Sequence, residues 1–138
     1  MTDSILIIGN EPSLREELVS AFTQTGFTVA YVADYPEALL RLNEFKPDLI
    51  IMDTVLPTSD GFDACSELRS TFGIPVVLLG GDSSDEAWVR AMEADADLYE
   101  IKPYRYVLAL VARVKAILRR YRLTASRSGN NPGYGKES

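Results

Sequence analysis

Asp53 is the first residue in this sequence that invites a chemical reading. It closes Leu49-Ile50-Ile51-Met52, the most apolar strand-like run of the chain. A buried strand that stops on a carboxylate sets that charge at the end of a sheet, where ligands bind in open α/β folds. An aspartate at a strand end is also a common turn or cap residue, so its neighbours carry weight. Pro57 follows four residues on, then Asp60-Gly61, a turn that enters a helix. Lys102-Pro103 follows a later strand, and Tyr99 lies three residues before that lysine, on the strand itself. Other chemistries are excluded by composition. The chain has no histidine and one cysteine, so it lacks the commonest general base and cannot form an internal disulfide. Cys65, on the third helix, is expected to be a small core residue.

The elements that must position these groups follow from periodicity. Ile5 to Ile8 is a short buried strand. Pro12-Ser13 opens a helix with Leu14, Leu18, Ala21 and Phe22 on its apolar face, ending near Gly26. Phe27 to Val32 is a second strand. Asp34, with Glu37 as capping-box partner and Pro36 in the first turn, opens a helix to about Phe45. Leu49 to Asp53 is the third strand, and Thr54 to Gly61 the loop into a third helix ending near Thr71. Ile74 to Leu79 is the fourth strand, ending in Gly80-Gly81. Ser83 and Glu86 form a capping box for a helix to about Ala94. Leu98 to Ile101 is the fifth strand, and Lys102-Pro103 opens a last helix to about Arg122. Five βα units in 138 residues predict an α/β fold, a doubly wound five-stranded parallel sheet in the flavodoxin-like order 2-1-3-4-5 with helices on both faces. The ligand end then gathers Gly9-Asn10-Glu11, Asp53, Gly80-Gly81 and Lys102. Residues 1–122 are expected to form the domain and 123–138, rich in Ser, Asn and Gly, a disordered tail or linker.

Together these segments resemble the receiver domain of bacterial two-component response regulators. The resemblance spans about residues 4 to 122. It is carried by Ile5-Leu6-Ile7-Ile8 with Glu11-Pro12-Ser13-Leu14-Arg15-Glu16, by Pro47 to Asp53, by Leu56-Pro57 with Asp60-Gly61-Phe62, by Ile74 to Leu79, and by Asp97-Leu98-Tyr99 with Lys102-Pro103-Tyr104. It implies that Asp53 is the phosphoacceptor position, Lys102 the lysine that contacts the phosphoryl group, Tyr99 the switch aromatic, and Lys102-Pro103 a cis peptide.

The departures from that family are as informative. Two acids that help hold Mg²⁺ are replaced by Gly9 and Asn10, and a Thr or Ser that contacts the phosphoryl group and couples to the switch aromatic is replaced by Gly80. Mg²⁺ dehydrates reluctantly and wants anionic oxygens. The Asn10 carbonyl is neutral, and Glu11 is expected to point elsewhere because neighbouring side chains alternate in direction. Asp53 and Lys102 could neutralise each other without a metal. The expectation is therefore no cofactor, with weak Mg²⁺ binding at most, and slow or absent phosphorylation. Gly80-Gly81 reads either as a plain turn or as an anion-binding nest. Without a hydroxyl at position 80, Tyr99 reads either as a switch or as a packing or interface aromatic.

The last helix, Ala112 to Arg120, resembles the OmpR/PhoB type. That implies a homodimer through the fourth helix, fifth strand and fifth helix, with cross-interface pairs Glu93–Lys115 and Asp97–Arg113, and with Trp88 and Ala109 in place of a third pair. Trp88 on an otherwise polar helix favours an interface. The net charge of −6 argues against direct nucleic-acid binding by this domain. The stretch from Ile101 to Arg127 nevertheless holds eight cations and no acid, either as a solvated face, as a partner surface or as a lead into a further domain. No apolar run approaches the ~20 residues of a membrane span, and the short Ile5–Ile8 run is no signal-peptide core, so a cytoplasmic location is expected. The functional expectation is a non-enzymatic regulatory interaction module, with a sensor histidine kinase as a possible partner. The alternatives are a working phosphoaspartate switch with an altered metal site controlling a transcription effector, a flavodoxin-like FMN carrier, and an aspartyl-nucleophile phosphatase. The FMN carrier lacks its phosphate loop at Gly9 to Pro12, and the phosphatase lacks a second acid at Val55.

Overall fold

The computed structural model describes residues 2–103 and 106–130, with residues 125–130 as backbone only. Ten elements alternate along the chain. They are β1 (Ser4–Ile8), α1 (Pro12–Gln24), β2 (Thr28–Val32), α2 (Tyr35–Phe45), β3 (Leu49–Asp53), α3 (Gly61–Glu67, continued by a π-helical turn, Leu68–Phe72), β4 (Val76–Gly80), α4 (Asp85–Glu93), β5 (Leu98–Ile101) and α5 (Val107–Asn130). The strands form one sheet in the order β2-β1-β3-β4-β5, and every pairing is parallel, as the alternation of strands and helices requires.

The sheet is buried on both faces because side chains along a strand alternate. Leu6, Ile8, Ile50, Met52, Val76 and Leu78 pack toward α2, α3 and α4. Their neighbours Ile5, Ile7, Leu49, Ile51, Val77 and Leu79 pack toward α1 and α5. Past Ser4 at the start of β1, the central strands therefore admit no polar side chain until β3 reaches Asp53, which is 5% exposed.

Helix ends differ from expectation where local chemistry outweighs pattern. Ser84, not Ser83, caps α4, its hydroxyl accepting from the Ala87 N–H at 3.2 Å. Asp82 accepts from the Ser84 N–H at 2.9 Å and so fixes that choice. The Lys102–Pro103 peptide is cis, and α5 begins at Val107 rather than at Pro103. Its backbone continues to Asn130, so the stretch from Leu123 onward, expected to be loose, begins as helix. Leu123, Ala125 and Arg127 are good helix formers. Residues 131–138 of the expected tail, and Tyr104 and Arg105, lie outside the described residues. Among the described residues no helix is long and apolar enough to cross a membrane.

Candidate functional site

The ends of β1, β3 and β5 bring Glu11, Asp53 and Lys102 together. The Lys102 ammonium donates to both carboxylate oxygens of Asp53, at 3.0 and 2.9 Å. It also donates to Glu11 through a short contact with Oε1. A groove of about 480 Å³ opens beside them, lined by Asn10, Glu11, Val55, Pro57 and Gly81 among others. The expectation that Glu11 points elsewhere is wrong. Strand alternation stops at Ile8, and Glu11 occupies the N-cap of α1 with extended backbone, making no capping bond with its own side chain. Its carboxylate is thus free to turn into the groove and meet Lys102.

The electrostatics follow from two acids around one cation. Burial is the largest influence on Asp53 and lifts its carboxyl above the ordinary range; the adjacent Glu11 adds to this and Lys102 opposes it. The hydrogen bond from Lys102 holds Glu11 below its usual value. Burial works against the Lys102 ammonium, but its bonds to Glu11 and Asp53 outweigh that and raise its pKa. Asp53 thus keeps a residual cost of burial, while Lys102 is firmly held as the cation.

This donor set does not suit Mg²⁺. Gly9 offers no side chain, Asn10 no charge, and both Asp53 oxygens already accept from an ammonium. The backbone at Gly9 leaves room for a side chain to start there. A Cβ built on Gly9 would lie 3.8 Å from the Asp53 Cβ and 3.9 Å from its Oδ2, ordinary contact distances.

Gly61 supports the site in a way that sequence reading, which took Asp60-Gly61 simply as a turn, missed. Asp60 caps α3, accepting from Phe62 and Asp63 N–H at 2.8 and 3.2 Å. Gly61 lets that helix start press on the end of β3. A Cβ there would come 2.3 Å from the Asp53 carbonyl oxygen and 2.6 Å from the Thr54 Cα. An Asp-Gly pair entering a helix was the available signal, and the close approach was not legible in it.

Gly80 does not face the groove. A Cβ on it would meet the Tyr99 ring, which packs inward, with its hydroxyl donating to the Asp82 carbonyl at 2.5 Å. Neither Gly80 nor Gly81 has a positive φ, so the alternating geometry of an anion nest is absent there. Gly81 alone lines the groove.

The residues expected on one interface are split. Asp97 is turned inward, accepting from the Val76 N–H at 2.8 Å and the Tyr121 hydroxyl at 2.6 Å. Arg113 pairs with Glu100 of β5 at 2.6 Å within the chain. Lys115, two residues and about 200° of helix turn from Arg113, lines a groove with Thr25, Gly26, Phe27, Arg119 and Arg122 on the α1 side. The Asp97–Arg113 and Glu93–Lys115 pairs therefore do not share one face as expected. Sequence spacing could not reveal that Asp97 is needed by β4 or that α5 turns Lys115 toward α1. Trp88, 41% exposed, and Met92, 75% exposed, remain open on α4, and Glu93 and Ala109 are exposed as well. Of the basic stretch, Arg113 and Arg122 are spent on Glu100 and Asp3.

Comparison with known proteins fits this geometry. A family model described as the response regulator receiver domain matches residues 5–115. The DNA-binding response regulator MtrA of Mycolicibacterium smegmatis is 38% identical over 120 residues, covering 87% of this chain and 52% of that protein. The transcriptional regulatory protein AfsQ1 of Streptomyces coelicolor is 38% identical over 117 residues, covering 85% and 52%. This chain spans about half the length of these curated relatives. A crystal structure of a two-component response regulator from Clostridium difficile superposes with a TM-score of 0.81 at 29% identity, covering 87% of this chain and 98% of that one.

Proposed function

The chain belongs to the response regulator receiver family of two-component signalling, and from that premise we propose that it acts as a regulatory interaction module whose phosphoacceptor position, Asp53, is held in a standing ion cluster. The carrying observation is that Lys102 is shared between Asp53 and Glu11. A phosphoryl group on Asp53 replaces the single carboxylate charge with roughly two on the phosphoryl oxygens, a net gain of about one negative charge. It would sit beside Glu11 with only one cation at hand, and that cation is already engaged. Phosphoryl transfer depends on positive charge placed in advance around the moving oxygens, and Gly9 and Asn10 supply no anionic ligand for a metal that would bring it. Slow or absent phosphorylation, with Mg²⁺ bound weakly at most, is the consequence. The module is a binding domain rather than an enzyme, and a sensor histidine kinase is the partner class its family points to.

Incubation with acetyl phosphate and Mg²⁺, followed by intact mass measurement, tests this. Little mass gain is expected. Gly9→Asp combined with Asn10→Asp, whose Cβ at position 9 meets Asp53 only at ordinary contact distance, is expected to raise it. Rapid, near-complete modification of the unaltered protein, abolished by Asp53→Asn, refutes the reading in favour of a working phosphoaspartate switch that controls an effector. The retained Asp53–Lys102 contact is the observation on that side.

The partner surface we propose is the α4–β5–α5 face, occupied by a second copy of the chain. It is supported by exposed Trp88 and Met92 on α4 rather than by the ion pairs expected there, of whose members Asp97 and Arg113 are engaged within the chain and Lys115 lies toward α1. A two-fold contact places such a patch against itself. Sedimentation equilibrium is expected to show a dimer weakened by Trp88→Ala; a monomer at high concentration, unchanged by the substitution, removes this proposal.

A further inference from the structure

Gly80 and Tyr99 form a contact that the ion cluster does not use. In the β4–β5 register Leu78 pairs with Tyr99 and Gly80 with Ile101, so the tyrosine ring leans along β4 over the residue two beyond its partner. A Cβ built on Gly80 would lie 2.5 Å from the tyrosine hydroxyl oxygen, 2.7 Å from Cε1 and 3.0 Å from Cζ. The ring therefore fills the volume that any side chain at position 80 would take. It is held from several directions: Tyr99 is 5% exposed, its hydroxyl donates to the Asp82 carbonyl at 2.5 Å, and Phe62 lies 6.2 Å from it, centroid to centroid. Trp88 of α4 packs edge-on against the same ring at 4.8 Å and 82°.

We infer that the missing side chain at Gly80 holds Tyr99 inward as the standing state of this protein, whatever the state of Asp53, and thereby keeps the Trp88 surface of α4 assembled at all times. Turning the ring out would leave a void at the end of β4, break the hydroxyl bond and strip Trp88 of its edge-on partner, each unfavourable. The pocket has no side chain at position 80 through which to act on the ring. Gly80 meets the ion cluster through its backbone, its carbonyl accepting from the Lys102 N–H at 2.8 Å. The inference stands independently of whether Asp53 accepts a phosphoryl group.

Trp88 is the only tryptophan, so its fluorescence reports on the ring beneath it. Gly80→Ala is expected to red-shift that emission and lower the urea midpoint. In a Tyr99→Ala background, where the clash is gone, Gly80→Ala is expected to change neither. An unshifted emission and midpoint in the single variant, or an equal drop in the Tyr99→Ala background, overturns the inference. Should Gly80→Ala fail to fold, rescue by Tyr99→Ala supports it and failure of rescue overturns it. Acetyl phosphate with Mg²⁺, read by mass and emission together, separates the two readings. A mass gain with unchanged emission refutes only the slow phosphorylation of Asp53. An emission shift that follows the mass gain overturns the standing position of Tyr99.

Discussion

Replacing Lys102 with methionine tests the ion cluster directly. Asp53 is buried, its side chain 6% exposed, and the Lys102 side chain is 18% exposed. Both carboxylate oxygens accept from the ammonium, at 3.0 and 2.9 Å. Breaking a fully buried pair by removing one partner costs about 3–5 kcal/mol, because the survivor is left uncompensated. The adjoining groove of about 480 Å³ admits water to the pair, so about 2–3 kcal/mol is expected here near pH 8. Asp53→Asn preserves shape and leaves Lys102 bonded to Glu11, and costs about 1 kcal/mol or less. The two substitutions are thus unequal although they break the same contact.

The pH dependence has a definite sign. Burial, the largest influence, already lifts Asp53 above 3.8, and loss of the ammonium lifts it further. A carboxyl whose folded pKa exceeds its unfolded value contributes stability that is complete below the unfolded value and lost as pH climbs through the folded one. The Lys102→Met deficit therefore grows as pH climbs past the raised folded value of Asp53 in the unaltered protein. Glu11 acts in the same sense. Its lowered pKa stabilises the unaltered protein above 4.5, and that contribution fades as pH falls through the folded value, narrowing the gap on the acid side. Urea titrations of the unaltered protein and both variants near pH 4.5 and pH 8 measure this. A Lys102→Met deficit that is flat with pH, or no larger than that of Asp53→Asn at pH 8, refutes the reasoning.

Three other substitutions or reagents probe the frame around the site. Gly61→Ala forces a Cβ to within 2.3 Å of a backbone oxygen, and a loss of about 1–3 kcal/mol is expected in thermal or urea unfolding. Asp97→Ala leaves the Val76 N–H and the Tyr121 hydroxyl without their acceptor; about 2–3 kcal/mol is expected to be lost, and a near-neutral result would return Asp97 to the list of surface acids. Burial pushes the Cys65 thiol up to about 12, so a disulfide reagent at pH 8 is expected to react only after urea is added. Rapid reaction of the folded protein would show that Cys65 is open to solvent.

Much of the architecture was legible in the sequence. Short continuous apolar runs such as Leu49 to Met52 read as strands covered on both faces, and their alternation with capped helices leaves few arrangements beyond the 2-1-3-4-5 sheet. That Asp53 and Lys102 would lie near one another was legible for the same reason: one ends a strand and the other follows one at the same edge of the sheet, and the structure brings them to within hydrogen-bonding distance. The absence of acids at Gly9 and Asn10, and of a hydroxyl at Gly80, needed no structure either, since a residue type carries its chemistry wherever the fold puts it.

What only the tertiary structure decided is where side chains outside regular elements go and which partners they find first. Glu11 lies beyond the last paired residue of β1, where no period governs direction, and Lys102, ninety-one positions away, captures it. Asp97 and Lys115 are equally plausible surface charges in sequence; one is taken up by the β4 backbone and Tyr121, the other is turned by the helix toward α1. Gly80 reads as a lost hydroxyl, and the fold gives it a second meaning as the space in which Tyr99 rests. Pattern determines which residues are buried and at which end of the sheet the polar groups gather, because burial is a property of whole faces. Pair formation depends on contacts between residues distant in sequence, and those exist only once the chain has folded.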